Sequence, residues 1–144
     1  MYHFFDGAPQ LPGLLIDQAE TGRALLAAER ATSDRRYLER ARQLAEIIIS
    51  RLKNRAGGYY DIIPSQSGFS RIRLIDIEQN GSAATFFLDL WEATGDAPYR
   101  EAARWALRAP SSELVAAGVR AARFGSALNQ YLWLVDLAKE STIK

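Results

Sequence analysis

The chain has 144 residues, a formal net charge of +1 at pH 7, 48% hydrophobic residues and 24% charged residues. This balance is ordinary for one globular domain and gives no basis for a nucleic-acid partner. No apolar run reaches ~18 residues and the first ten residues lack a signal-peptide pattern, so we expect a cytoplasmic location and no membrane partner. With no cysteine and one histidine, the sequence predicts no metal site and no cofactor.

The first third of the chain predicts a helical hairpin. Residues 1–12 are expected to be an irregular lead-in, because prolines interrupt them. A helix over 14–31 is apolar on nearly every side, which is typical of a helix buried on most sides. Asp34 then caps a return helix over 35–54, which is amphipathic. Its apolar stripe comprises Leu38, Ala41, Ala45, Ile48 and Leu52.

A connector and a second hairpin follow. Residues 59–63 and 71–74 read as short strands that could pair, so a β-hairpin is predicted between the two helical hairpins. A second apolar helix is predicted to begin with Asn80 as its N-cap and to end at Gly95. Asp96 then caps an outer helix over 97–108.

The C-terminal part predicts a short helix over 112–117 and a last helix over about 124–139. Gly125-Ser126-Ala127 repeats Gly81-Ser82-Ala83, which indicates that the last helix is a third buried arm. We therefore interpret residues 1–144 as a single domain of α-hairpins.

An internal repeat of 62 residues supports this organisation. Thr94, Asp96 and Tyr99 fall on Thr32, Asp34 and Tyr37 when the sequence is shifted onto itself. A fixed period of this kind is typical of tandem structural units. The repeat predicts an all-α fold of tandem α-hairpins, with units over about 14–60 and 76–117.

The repeat also predicts where a binding site lies. Both buried arms begin with polar residues, Asp17 and Gln18 in the first unit and Gln79 and Asn80 in the second. If the arms pack in parallel, these groups gather at one end, together with free backbone N–H groups. The connector must return to that end with further polar and aromatic groups, and those predicted to reach the ligand are Tyr60, Asp61 and Arg73. Such a mouth suits a sugar or another small polar ligand.

Asp17 and Asp61 form the candidate catalytic pair. Hydrolysis of a glycoside would need two carboxylates about 5 Å apart for retention or roughly 6.5–9.5 Å apart for inversion. A plain structural interpretation stands beside this one: a carboxylate at a helix start is favoured by the helix dipole, and Asn80 is a sufficient N-cap without a ligand.

Several segments resemble a known family. The motif LPGLLIDQA, then GGYYDIIP and NGSAATFFLDLWEATGDAPYREAA, are similar in order to the C-terminal region of thioredoxin-domain-containing proteins of the spermatogenesis-associated type. This resemblance implies a partial (α/α) toroid of the six-hairpin glycosidase superfamily. It also implies a glycosidase- or epimerase-like activity on carbohydrate without a metal. The thioredoxin domain of that family, with its Cys-x-x-Cys, is absent from this sequence.

A non-catalytic helical scaffold or oligomerisation module is the alternative interpretation. Two and a half hairpins do not close a six-hairpin ring, so the flanks of the buried arms would expose apolar surface. We therefore expect self-association, or packing against the remaining hairpins of a longer chain. A tetratricopeptide-like array fits less well, because its repeat is about 34 residues long.

Overall fold

In the computed structural model of the chain, residues 2–5, 9–63, 73–109 and 117–142 are described. The described elements are two short strands, five α-helices and one 3-10 turn. In chain order they are β1 (Tyr2–Phe5), β2 (Pro9–Pro12), α1 (Leu15–Thr32), α2 (Arg35–Arg51), α3 (Ile77–Thr94), α4 (Ala97–Ala106), the 3-10 turn (Gly118–Ala121) and α5 (Ala122–Thr142).

The helices form two layers of hairpin arms. Helix α3 packs between α1 and α5, while α2 covers α1 and α4 covers α3. Contacts between α1 and α3 advance in the same direction along both helices, from Gly22 against Phe86 to Arg23 against Asp89. The buried arms are therefore parallel, and their N-terminal ends lie at one end of the molecule, as the repeat predicted.

The hydrogen bonds of the repeated threonine recur at the two hairpin turns. The hydroxyl of Thr32 donates to the carbonyl of Ala28 at 2.7 Å and accepts from the backbone N–H of Asp34. Thr94 makes the equivalent bonds to Leu90, at 2.7 Å, and to Asp96. Because the threonine satisfies groups that the helix end leaves open, it explains why this residue recurs in both units.

Burial separates the inner helices from the outer ones. The stripe predicted on α2 is confirmed, since all five of its apolar residues are at most 3% exposed. Helix α3 is buried on nearly all sides, as predicted. The same prediction for α1 is wrong: Leu15 and Leu26 are buried, but Ala24, Ala27 and Ala31 are exposed. The reason is that α3 has helices on both flanks, whereas α1 has a described helical neighbour on one flank.

Two local predictions are corrected by the structure. The lead-in is not irregular, because β1 and β2 pair in an antiparallel sheet with Tyr2 opposite Pro12. Proline is tolerated there since both strands are edges. Helix α3 begins four residues earlier than predicted, and its N-cap is Asp76 rather than Asn80; the Asp76 carboxylate accepts from the N–H of Gln79 at 2.9 Å.

The β-hairpin predicted between the repeats is not seen among the described residues. The connector instead pairs with the hairpins: Tyr59 bridges to Lys53, and Ile62 bridges to Leu14. Within the described connector, the backbone N–H of Asp61 bonds the carbonyl of Leu74 at 2.9 Å, while the flanking residues bond the first hairpin. Residues 71 and 72 of the second predicted strand, and 112–116 of the predicted short helix, lie outside the described residues.

Candidate functional site

The N-terminal ends of α1 and α3 form one polar rim, which we define by Asp17, Gln18, Asp61, Asp76 and Gln79. The backbone N–H of Leu15, at the start of α1, donates to the carbonyl of Asp61 at 2.8 Å. The connector thus crosses the start of α1, and the structure brings the residues of the predicted mouth to the same end.

Asp61 is held in place by its neighbours in the connector. Its carboxylate accepts from the backbone N–H of Leu74 at 2.8 Å, and its own N–H donates to the carbonyl of Leu74 at 2.9 Å. Asp17 lies in the first turn of α1 and is partly exposed, as Asp61 is. Asp17 therefore lies in the first turn of α1, and the backbone of Asp61 bonds the start of that helix while its carboxylate bonds Leu74. Their catalytic role remains a prediction.

The side chain of Asn80 is fully used in hydrogen bonds that hold the connector against α3. Its side-chain oxygen accepts from the backbone N–H of Tyr59 at 2.7 Å, and its amide nitrogen donates to the carbonyls of Tyr59 and Asp76, both at 2.9 Å. The residue is fully buried. Both amide hydrogens are used, so Asn80 fastens the connector to α3 and offers no donor to a ligand.

The two glutamines of the rim differ in their surroundings. Gln18 is buried, and its amide nitrogen donates to the carbonyl of Leu14 at 3.3 Å. Gln79 is partly exposed, and its side-chain oxygen has no hydrogen-bond partner among the described residues. That oxygen is itself buried, so neither glutamine offers an exposed side-chain acceptor to a ligand.

Tyr60 and Arg73 are brought together beside Asp61. The guanidinium carbon of Arg73 lies 4.0 Å from the centre of the Tyr60 ring, within the range of a cation–π contact. Tyr60 is partly exposed and Arg73 is exposed. This pair gives the rim one aromatic surface with a cationic donor next to it.

A groove that the sequence did not predict lies one helical turn inside the rim, between α1, α3 and α5. Its volume is about 310 Å³. Six of its seven lining residues carry polar side chains, and the set comprises Arg23, Ser82, Thr85, Ala122, Arg123, Ser126 and Gln130. We call it the inner groove.

Glu20 lies beside the inner groove and pairs with both of the arginines that line it. Its carboxylate accepts from the guanidinium of Arg123 and, at 3.3 Å, from that of Arg23. Arg23 also binds the carboxylate of Asp89 at 3.3 Å, and Arg123 donates to the hydroxyl of Ser82 at 2.9 Å. Side chains from all three inner helices are therefore joined across the groove.

The sequence does not reveal the groove, because its charged residues have ordinary explanations. Glu20 and Arg23 belong to the polar early turns of α1, where the helix dipole already accounts for a carboxylate, and Arg123 lies in a segment without clear periodicity. One signal does point to it. Ser82 and Ser126, the central residues of the repeated Gly-Ser-Ala segments, both line the groove.

The described residues were also searched for metal sites and for membrane-spanning helices. No group of three His, Asp or Glu side chains among them is placed to hold a metal ion. In the same ranges, no helix has both the length and the apolar character that crossing a bilayer requires.

Comparisons with known proteins identify the fold. Neither the family models nor the curated proteins that were searched gave a match, and the thioredoxin-domain-containing family was not found. The chain is similar to the solved structure of cellobiose 2-epimerase from Spirochaeta thermophila, with 22% identity and a TM-score of 0.56. The match covers 71% of this chain and 28% of that chain, so the chain spans less than a third of the epimerase. The likeness is one of fold, and it identifies the tandem α-hairpins as a partial (α/α) toroid.

Proposed function

We propose that this domain binds a carbohydrate, or another small polar ligand, at the rim and in the inner groove. The observation that carries the proposal is the groove itself. Thr85, Ser126, Gln130 and two arginines line one groove of about 310 Å³. The Thr85 hydroxyl also donates to the carbonyl of Gly81, and the Gln130 amide donates to Glu92 at 3.3 Å. A cavity of this size with several convergent polar groups is typical of a small-ligand site.

The residues of the rim extend the site. We propose that Tyr60 packs against the apolar face of a sugar ring, that Arg73 bonds its hydroxyls, and that the amide nitrogen of Gln79 donates to one of them. Asn80 and Gln18, which were predicted to touch the ligand, hold the connector and the start of α1 instead. This division follows from exposure, since Gln18 and Asn80 are at most 1% exposed.

We further propose that the domain catalyses an epimerase-like reaction on its sugar ligand. The fold neighbour is named for epimerisation of cellobiose, a disaccharide, which favours an epimerase-like reaction over hydrolysis. We propose Asp17 and Asp61 as the acid–base pair, because Asp17 lies in the first turn of α1 and the backbone of Asp61 bonds the start of that helix. General acid–base catalysis by a positioned carboxylate typically contributes ~10²–10⁴-fold to a rate.

We also propose a relationship to the thioredoxin-domain-containing family. The motif LPGLLIDQA, on which the resemblance to thioredoxin-domain-containing proteins mainly rests, places Asp17 and Gln18 at the rim. We infer that this chain corresponds to a segment of the toroid in that family. Adjacent coding sequence for a thioredoxin-like domain and for further hairpins would support the inference, and neighbouring sequence of another class would contradict it.

The binding proposal is tested by titrating glucose and cellobiose into the ¹⁵N-labelled protein. We expect shifts of amide signals from Thr85, Ser126 and Gln130. Gln130→Ala should weaken binding by roughly 2- to 10-fold, the value of one neutral hydrogen bond. Gln43→Ala is the matched control, because Gln43 lines a separate cavity on the outer side, between α2 and Tyr99. Shifts confined to that outer cavity, or no shifts, would refute the proposal.

Catalysis is tested separately by incubating each sugar with the protein in D₂O. Epimerisation through a carbanion exchanges the hydrogen at C2, so deuterium should appear at that carbon. We expect Asp17→Asn and Asp61→Asn each to reduce the exchange rate by at least about 100-fold while sugar binding persists. Exchange that survives in both variants would rule out the pair.

A further inference from the structure

Resting on the proposed function, we propose that the inner groove recognises a sugar acid, and that Glu20 occupies the place of the ligand's carboxylate in the free protein. The two oxygens of Glu20 are divided between two guanidinium groups that line the groove, those of Arg23 and Arg123. Paired guanidinium groups are well matched in geometry to a planar carboxylate.

The two arginines are held by α3 independently of Glu20. Arg23 binds Asp89, whose side chain is only 15% exposed. Arg123 donates to the buried hydroxyl of Ser82, and its Nε lies 3.9 Å from the carboxylate of Glu78. These anchors would keep both guanidinium groups in position after Glu20 leaves, so the site does not have to be rebuilt around the ligand.

Replacement of Glu20 by an incoming carboxylate leaves the charge of the groove unchanged. Asp89 and Glu78 balance the two arginines, and the third carboxylate is either that of Glu20 or that of the ligand. Glu20 is 39% exposed, so its side chain can turn into water without unfolding α1. A neutral sugar has no group that could take the place of this carboxylate.

The remaining lining identifies the ligand as a sugar acid rather than a simple anion. Thr85, Ser126 and Gln130 lie in the same cavity as the two arginines. Hydroxyl and amide groups of this kind suit the hydroxyls of a sugar ring. The ligand class is therefore a monosaccharide with one carboxylate, such as a hexuronic acid.

Calorimetric titration of the full chain at low salt tests this inference with glucuronate, glucose and acetate. Because Glu20 competes with the ligand, Glu20→Gln should bind glucuronate about tenfold more tightly, while its affinity for glucose stays within about twofold. Arg123→Gln should bind glucuronate about tenfold more weakly. Glu101→Gln is the control, since Glu101 pairs with Arg104 on the exposed side of α4 and should change neither affinity.

The outcomes separate this inference from the proposed function. Equal affinity for glucose and glucuronate, or an unchanged affinity in Glu20→Gln, would overturn the sugar-acid assignment and leave sugar binding in place. Acetate binding as tightly as glucuronate would show an anion site and overturn it too. Failure of every sugar to bind any folded variant would overturn the proposed function. A gain of affinity in Glu20→Gln cannot arise from misfolding, so it is the decisive measurement.

Discussion

Gly81 and Gly125 begin the two repeated Gly-Ser-Ala segments, yet their surroundings differ. A Cβ atom added to Gly81 would lie 2.6 Å from the backbone nitrogen of Phe124, at the start of α5. The same addition at Gly125 would meet nothing within 4 Å. The first glycine thus permits the close approach of two helices, and the second lies on an open surface.

We therefore predict opposite effects of one substitution at these two positions. Gly81→Ala should lower the free energy of unfolding by about 1–3 kcal/mol, because backbone cannot be moved aside as a side-chain tip can. Gly125→Ala should raise it by up to about 1 kcal/mol, the gain in helix propensity. Urea denaturation of both variants gives the comparison. The same sign at both sites would contradict the packing described for α3 and α5.

Asn80 supports a second prediction at the scale of single residues. Asn80→Ala would leave the buried N–H and carbonyl of Tyr59 without partners, so we expect a loss of roughly 2–4 kcal/mol in the free energy of unfolding. Asn129→Ala, on the exposed side of α5, is the control and should change it by less than about 0.5 kcal/mol. Comparable losses at both positions would show that the Asn80 bonds contribute little.

Tyr59 makes the stability depend on pH. Burial raises the pKa of its phenol well above the ordinary 10.0. The folded protein therefore favours the neutral phenol, and this contribution to stability is complete below pH 10 and is lost as the pH rises above 10. The slope from this group is up to about 1.4 kcal/mol per pH unit.

In Tyr59→Phe the decline above pH 10 should be shallower by that amount, as measured by denaturation across this range. At neutral pH the variant should lose no more than about 1 kcal/mol, since the hydroxyl makes one long bond, 3.4 Å, to the carbonyl of Ala102. An unchanged slope would mean that the phenol reaches water in the folded state.

At the scale of elements, the sequence predicted the helices more reliably than their junctions. Hairpin turns are set by local chemistry, so the cap of α2 by Asp34 and the end of α3 at Gly95 could be predicted directly. Asp96, which was also predicted to cap its helix, makes no side-chain hydrogen bond there. The start of α3 could not be predicted directly, because Asp76 and Asn80 are both good N-caps. Asp76 is the cap because the side chain of Asn80 is hydrogen-bonded to the backbone of Tyr59, which lies 21 residues away in the sequence. Such a pairing leaves no periodic signal.

The same reasoning applies to the inner groove. The rim follows from parallel arms and was predicted, whereas the groove depends on how α1, α3 and α5 are rotated about their axes. That rotation is fixed by close contacts such as Gly22 against Phe86. The sequence shows that residue 22 is glycine, but it does not show that Phe86 packs against it.

The cap of α3 gives a prediction at this scale. Asp76→Ala should cost about 1 kcal/mol of unfolding free energy, because the Asp76 carboxylate accepts from the N–H of Gln79. Asp96→Ala should cost less at the start of α4, since Asp96 makes no such side-chain bond there. Thermal unfolding of the two variants tests the order, and a larger loss for Asp96 would reverse the interpretation of the two caps.

At the scale of the whole molecule, the outer side of α5 is open and apolar. Leu128, Leu132, Trp133 and Leu137 are 41–60% exposed on this helix. Large apolar side chains grouped in this way are typical of surfaces that contact another protein segment. The matching flank of α1 is lined by small side chains, those of Ala24, Ala27 and Ala31.

We predict that the isolated chain associates with itself through α5 as its concentration rises. Light scattering should give a mass above 16.0 kDa for the wild type, and the double variant Leu132→Gln/Trp133→Gln should return it to 16.0 kDa. Ile47→Gln is the control, because Ile47 is similarly exposed, at 37%, but lies on the outer helix α2. A wild-type mass of 16.0 kDa at every concentration would mean that this face is stable in water without a second copy. In that case the further hairpins of a complete toroid would be the better candidate to cover it.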